Sequence, residues 1–397
     1  MPSDPTRSRR VAIICQPDPY ANGLKPVAIE RFLRDRGHEV TLVDTGYLSR
    51  ASGDRASWRR KLPGPTPRRV ALYAVEAAAA VFTRRSRARG RWLSYYLLLA
   101  DQHLRRAILS SRVPLDEFEL VICETPHDAC VLTVPTRART LYDCPTPWAD
   151  ELWFEGRLTV GQHARLRRRE AAIFESVDHL AFHWETYARY AVRRYGISGR
   201  NLMTLNYGCT PAARRARFGM PPRVAYIGSL GSRFIDLPLL SRLSRLYPHI
   251  DVYGAPAPDP KLGLNFKGYA PPSVLRDYQF GLITCTKDEL RREGFSAKHL
   301  QYLAHGLPVL VPSWRRHLDQ LDGSVPYDEP TFLARIAALS AEPDWQRVSD
   351  EAYAQAQRLA WDETLRPLED LLSATAVRPT SSAGVSGTTP GRPRAAP

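Results

Sequence analysis

Short apolar runs of strand length alternate with helix-period stretches along the chain, in two successive series, and this alternation restricts the fold more than any other feature. Val11–Cys15 is a β-type apolar run of the kind buried in a parallel sheet. A helical pattern over Lys25–Arg36 carries Val27, Ile29, Phe32 and Leu33, Gly37 stops it, and His38–Val43 closes a βαβ unit. After an Arg-rich excursion the series resumes. It predicts a strand at Leu120–Cys123, a helix near Asp128, a strand at Thr140–Tyr142 and a helix at Thr159–Glu175, then a strand at His179–Phe182, a helix at Glu185–Tyr195 and a strand at Leu202–Leu205. Residues Thr210–Pro222, with three prolines and three arginines, read as a linker.

The second series begins with a strand at Val224–Ile227, a helix at Leu237–Tyr247 and strands at Ile250–Tyr253 and Leu264–Phe266. A short helix at Pro272–Tyr278, a strand at Gly281–Thr284, a helix at Ala297–His305 and a strand at Pro308–Val311 follow, and amphipathic helices run from Thr331 to near Ala374. Strict alternation argues for doubly wound parallel sheets. At 397 residues, 44% of them apolar, the chain can build two such cores. The expected organisation is an N-terminal domain over 1–210 with a basic helical insertion at 50–112, a second domain over 211–360, a returning helix at 361–375, and a tail at 376–397 too polar to fold.

The net charge of +15 is concentrated. Between Arg50 and Arg112 fifteen basic residues meet three acids, and the remainder is nearly balanced. With Trp92, Tyr95 and Tyr96 this segment fits an anionic lipid leaflet, or equally a helix pair packed on its domain with a solvated Arg rim. No aromatic platform accompanies the charge, which argues against nucleic acid. Six cysteines, at 15, 123, 130, 144, 209 and 285, lack metal-site or redox spacing and suit a reducing compartment. The polar stretch Met1–Arg10 does not read as a signal peptide, and Val70–Phe82 is too short to span a bilayer, so a cytoplasmic location is expected, peripheral on the inner face of the plasma membrane if the basic segment seats there.

The most specific stretch is Glu293-Gly294-Phe295-Ser296-Ala297-Lys298-His299-Leu300-Gln301, leading to Gly306-Leu307-Pro308-Val309-Leu310. It reads as a polar loop, a helix with Ser296 and Lys298 in its first turn, a Gly stop and a buried strand. A helix N-terminus favours an anion such as diphosphate, and Lys298 would add a full charge; the same pattern also serves in any capped βαβ crossover. Upstream, Val224–Ile227 runs into Gly228-Ser229-Leu230-Gly231-Ser232-Arg233, a plausible phosphate cradle with a bidentate donor, or a plain strand-to-helix turn.

These two elements, with Gly268-Tyr269-Ala270-Pro271-Pro272 and Tyr278–Leu282, resemble the nucleotide-sugar signature of GT-B glycosyltransferases, especially family 4 and related bacterial polysaccharide transferases. The resemblance covers about residues 220–372 well and the first domain in outline. It implies two Rossmann-like α/β domains facing across a cleft, with no metal and no cofactor beyond a UDP- or GDP-linked sugar as co-substrate. It implies that Lys298 and Arg233 contact the diphosphate, that position 301 meets the ribose and that Glu293 meets the transferred sugar or its phosphate, with Gly23, Gly228, Ser229 and Ser296 lining the donor site. Ala297 stands where the family carries Pro, and Gln301 where it carries an acid. Gln binds ribose hydroxyls less strongly than a carboxylate does.

On the acceptor side, a base belongs at the C-terminal edge of a strand. Candidates are Glu124, His127 and Asp128 after one strand and Asp143 after the next, of which His127 and Asp143, together with Glu293, are carried forward as catalytic. Both retention and inversion are open to these residues. His179 and His183 lack a third metal ligand, and no Asp-x-Asp occurs in the chain. The expected activity is transfer of a hexose-type sugar to a glycan or lipid-linked glycan in polysaccharide or cell-envelope biosynthesis. The rivals are a sugar-nucleotide epimerase on the same fold and a non-catalytic sugar-nucleotide scaffold. A dehydrogenase is disfavoured, because no Gly-x-Gly-x-x-Gly follows any strand.

Overall fold

The computed structural model describes residues 8–16, 24–45, 89–199, 201–315 and 321–373, with isolated helical positions at 67, 71, 74 and 75. Gly23, the basic segment before residue 89 apart from those four positions, and the tail at 376–397 lie outside the described residues.

The first domain runs β1 (Arg10–Cys15), α1 (Leu24–Asp35), β2 (Glu39–Asp44), α2 (Arg89–Arg112), β3 (Leu120–Cys123), β4 (Arg139–Cys144), α3 (Trp148–Phe154), α4 (Val160–Ser176), β5 (His179–Phe182), α5 (Glu185–Tyr195) and β6 (Leu202–Thr204). Its six strands pair in parallel in the order β2-β1-β3-β4-β5-β6. β1 explains why the strands read as unbroken apolar runs. Val11, Ile13 and Cys15 enter one core with α1. Ala12 and Ile14 enter the core on the opposite face, so every side chain after Arg10 is withdrawn from water. Gly37, at φ +82°, ends α1 in the left-handed conformation that glycine adopts without strain. Thr159 opens α4 through a capping box with Gln162.

The second domain runs β7 (Val224–Ile227), α6 (Leu237–Leu246), β8 (Ile250–Tyr253), β9 (Asn265–Phe266), β10 (Phe280–Leu282), α7 (Glu289–Glu293), α8 (Ala297–Ala304), β11 (Val309–Pro312), β12 (Ser324–Tyr327), α9 (Phe332–Ala337) and α10 (Glu342–Arg358). Its strands order β12-β11-β10-β7-β8-β9, all parallel. Read from β9 to β12, this is the doubly wound order in which winding reverses between β7 and β10. The chain therefore forms two Rossmann-like doubly wound α/β domains. The last two helices, α11 (Trp361–Thr364) and α12 (Pro367–Ser373), return to the first domain, where Leu365, Leu368, Leu371 and Leu372 share a core with β1 and α1.

Several elements differ from the sequence reading. The helix expected near Asp128 is a 3-10 turn at Ala129–Thr133, and Pro272–Asp277 is also 3-10. The short α3 and α7 fall in stretches with too few turns to show a period. β12 carries Pro326, tolerated because β12 is an edge strand. Residues 210–222 form no regular element but are strapped to the second domain, Ala212 and Ala216 donating backbone N–H bonds of 2.8 Å to the Ala304 and His305 carbonyls.

Candidate active site in the interdomain cleft

In doubly wound sheets ligands sit beyond the C-terminal ends of the strands where the winding reverses. In the second domain that point is flanked by Gly228, after β7, and Cys285, after β10. Gly228 has φ +147°, and a Cβ there would lie 2.7 Å from Lys298 Cδ, so the bare backbone lets the lysine cross over it. Lys298 Nζ donates to Tyr226 Oη at 3.0 Å and lies 4.8 Å from the centre of that ring. No carboxylate pairs with it among the described residues. Burial, with Arg315 adding to it and Cys285 opposing, lowers the ammonium pKa to about 8.

The lysine is placed by Tyr302, one turn further along α8. Its hydroxyl accepts from the Ile227 N–H at 3.0 Å and donates to the Leu282 carbonyl at 3.1 Å, pinning α8 across the ends of β7 and β10. Ser296 is the N-cap of α8 but makes no side-chain cap bond. Gln301 is half-buried on the same helix, and its backbone carbonyl takes His305 Nδ1 at 2.8 Å.

Glu293 ends α7 at the boundary between domains. Its carboxylate lies 3.4 Å from Arg193 of α5, and its carbonyl accepts from Thr186 Oγ1 at 2.5 Å. Next to it, Phe295 stacks on Trp184 with ring centres 4.8 Å apart and planes 18° from parallel. Ser229 and Arg233 are exposed. Arg233 reaches across the cleft, Nη1 donating to the Glu155 carbonyl. The structure thus joins Gly228 and Lys298 directly, sets Ser296 and Gln301 on the same helix, and turns Arg233 and Glu293 toward the first domain.

The opposite wall is built from the strand ends of the first sheet. Asp143, at the end of β4, is fully buried, with Lys25 Nζ 2.7 Å from Oδ2 and His183 Nε2 3.4 Å from Oδ1. Burial alone would raise this carboxyl, but Lys25 and His183 outweigh it and hold it below the usual range. Glu124, at the end of β3, goes the other way. Burial and the Asp143 charge push it well above the carboxylate range, and its buried Oε1 has no hydrogen-bond partner.

His127 lies in a second network. Its Nδ1 is 3.3 Å from Asp101 Oδ2, and its ring meets Trp148 edge-on at 4.6 Å. Asp101 also accepts from Arg105 Nε at 3.0 and 3.1 Å. Arg105 in turn donates to Asp128 at 3.1 Å, and Asp128 accepts from Thr45 and Thr125 at 2.5 Å each. Through Asp101 and Arg105 the described part of the basic insertion, α2, is tied to the ends of β2 and β3. Asp143 and His127 therefore belong to separate clusters on one wall, and neither contacts the Lys298 group on the other among the described residues.

Sequence reading missed Lys25, Tyr302 and Arg315, and weighed His183 only as a metal ligand. It also missed Glu151 of α3, whose carboxyl burial pushes to about 7 against the charge of Arg291 from the other domain. Tyr302 lies inside the signature stretch, next to Gln301, but reads there as an apolar helix position; the others sit in no recognisable motif and converge only through the fold. Among the described residues, no group of three or more His, Cys, Asp or Glu could hold a metal ion, and no helix is long and apolar enough to cross a membrane.

No protein-family profile matches the chain, and no curated protein matches it by sequence. Solved structures do match. A glycosyltransferase from Rickettsia africae ESF-5 superposes with a TM-score of 0.57 at 9% identity, over 92% of this chain and 98% of that one. An alpha,alpha-trehalose-phosphate synthase (UDP-forming) from Burkholderia vietnamiensis gives 0.56 at 16% identity, over 91% and 96%. An alpha-glucosyltransferase in complex with UDP and a 13-mer DNA gives 0.55 at 11% identity, over 92% and 100%. The architecture of this chain is accordingly that of the GT-B glycosyltransferases, two Rossmann-like domains facing across a cleft.

Proposed function

We propose that the protein is a glycosyltransferase that moves a hexose-type sugar from a UDP- or GDP-linked donor to a glycan or lipid-linked glycan acceptor, without a metal. The observation that carries this reading is Lys298, held over Gly228 in the first turn of α8 with no carboxylate partner among the described residues. A cation and the open N–H groups of a helix start together suit a departing diphosphate, whose developing charge they would neutralise. GT-B neighbours whose names or contents include UDP support the donor class. On the facing wall, His127, held by Asp101, and Glu151 are the groups available to the acceptor, while Asp143, paired with Lys25 and withdrawn from solvent, can act only by holding its neighbours.

A role in polysaccharide or cell-envelope synthesis, at the cytoplasmic face of the membrane, belongs to the same proposal. It is supported by the basic surplus between residues 50 and 112 and by exposed Tyr96 and Arg106 on α2. The test is a thermal-shift panel of nucleotide-diphosphate hexoses, followed by transfer assays with the stabilising donor and lipid-linked acceptors. A donor that stabilises the wild type, and is consumed only with acceptor present, is the expected result. Consumption without acceptor would assign an epimerase instead, and loss of neither binding nor turnover in Lys298→Ala would remove the proposed donor site.

A further inference from the structure

We propose that Arg315 supplies the second cation of the diphosphate site and positions the turn that opens it; the inference rests on the donor-site reading above. Arg315 follows β11, which lies beside β10, so it emerges at the same sheet edge as Cys285 and Gly228. Its side chain is only 3% exposed. Nη2 donates to the Gly294 carbonyl, Nη1 lies 3.6 Å from Cys285 Sγ, and the buried Nε has no hydrogen-bond partner. Among the described residues it forms no ion pair.

A buried guanidinium carrying its charge without a carboxylate is costly. The cost is offset where an anionic ligand provides the missing charge, and a nearby second cation, Lys298, is in the same condition. Arg233, the arginine that the sequence places at the cradle, is exposed and engaged with the Glu155 carbonyl of the other domain. The geometry therefore gives the two arginines different tasks, Arg233 spanning the domains and Arg315 serving the ligand.

The positioning role follows from Gly294. This residue has no room for a side chain, since a Cβ would lie 2.3 Å from Tyr187 Oη. Its carbonyl is fixed by Arg315 from one side while Tyr187 of the first domain closes the other. Two residues on, Ser296 opens α8 with its hydroxyl not used in a cap bond. Holding Gly294 thus sets the direction in which the first N–H groups of α8 and Lys298 face the cleft. A guanidinium fork can hold a carbonyl and a phosphate oxygen side by side in one fixed plane, a rigidity that an ammonium lacks.

The experiment is calorimetric titration of the full chain with UDP, GDP and the matching monophosphates, for wild type, Arg315→Met, Arg315→Lys and Arg233→Met, each checked for folding by circular dichroism. In Arg315→Met the affinity for the preferred diphosphate should fall about tenfold or more, equivalent to at least ~1.4 kcal/mol, with the monophosphate affected less. Arg315→Lys should recover only part of the loss, and Arg233→Met should lose less affinity than Arg315→Met does. Unchanged diphosphate affinity in Arg315→Met, or a greater loss in Arg233→Met, overturns the assignment. If Arg315→Met does not fold, Arg315→Lys decides, and wild-type affinity in it overturns the proposal. A wild-type protein that binds neither diphosphate refutes the donor-site reading itself, and the role of Arg315 with it.

Discussion

Lys25 Nζ lies 2.7 Å from Asp143 Oδ2, and neither side chain reaches solvent. The same ammonium donates to the Leu205 carbonyl at 2.6 Å, so one cation ties the start of α1 to the ends of β4 and β6. Removing one partner of such a pair strands the other charge away from water. Asp143→Asn should therefore cost about 3–5 kcal/mol of stability, and a Lys25→Met, Asp143→Leu double variant much less. Urea denaturation at neutral pH measures both. The pH dependence has a definite sign. A carboxyl held below its unfolded value stabilises fully above about pH 4, and that contribution disappears as acid protonates it in the folded state.

Glu124 gives the opposite slope. Burial and the Asp143 charge raise its folded pKa well above that of the unfolded chain. From about pH 4.3 upward the unfolded state loses this proton while the folded state keeps it, so stability falls as pH rises toward the folded value. Glu124→Gln should flatten that part of the profile and raise stability at neutral pH. Unfolding free energies of both proteins between pH 4 and 8 provide the comparison, and superimposable profiles would exclude a protonated Glu124.

Lys298, with its pKa near 8, should make diphosphate binding sensitive to mildly alkaline pH. Bound diphosphate favours the ammonium, so above about pH 8 affinity should decline by up to ~tenfold per pH unit in the wild type. Lys298→Arg keeps its charge throughout and should bind more weakly but with a flat profile. Titrations with UDP or GDP from pH 7 to 9.5 separate the two behaviours.

The domains meet through the stacked pair Trp184 and Phe295, beside the Glu293 contacts with Thr186 and Arg193. The exposed Arg193–Glu293 pair contributes little in water, whereas the ring stack is worth about 0.5–1.5 kcal/mol beyond its buried area. Phe295→Ala should leave each domain folded and loosen their association, visible as a larger radius of gyration in solution scattering. An unchanged scattering profile would show that the stack does not hold the cleft.

The architecture was legible because both sheets are parallel and covered on both faces, which writes each strand as a short unbroken apolar run such as Val11–Cys15 or Val224–Ile227. The turn around Lys298 was legible for a local reason, since a helix start, a cation and a Gly stop fall within a few residues. The facing wall was legible only in part. Strand ends pointed to Glu124 and Asp143, but their pairing with Lys25 and His183, which come from separate elements far apart in sequence, could not be read from spacing. Direction was also hidden, because spacing locates Arg233 after β7 but does not reveal that it reaches Glu155.

Tyr302 tests how far the donor wall depends on its scaffold. Its buried hydroxyl satisfies both the Ile227 N–H and the Leu282 carbonyl, where β7 and β10 would otherwise leave these groups unpaired. The ring occupies the space over Gly281, at which a Cβ would lie 2.2 Å from it. Tyr302→Phe keeps the ring and removes both bonds, leaving a buried donor unsatisfied at a cost of about 1–3 kcal/mol. Because α8 carries Lys298 one turn upstream, the same change should weaken diphosphate binding even though Tyr302 itself is withdrawn from the cleft. Gly281→Ala should be more damaging, since the ring must move bodily. Thermal melts and diphosphate titrations of both variants provide the measurement. A Tyr302→Phe protein that melts and binds like the wild type would mean that α8 is held in place by its apolar contacts alone.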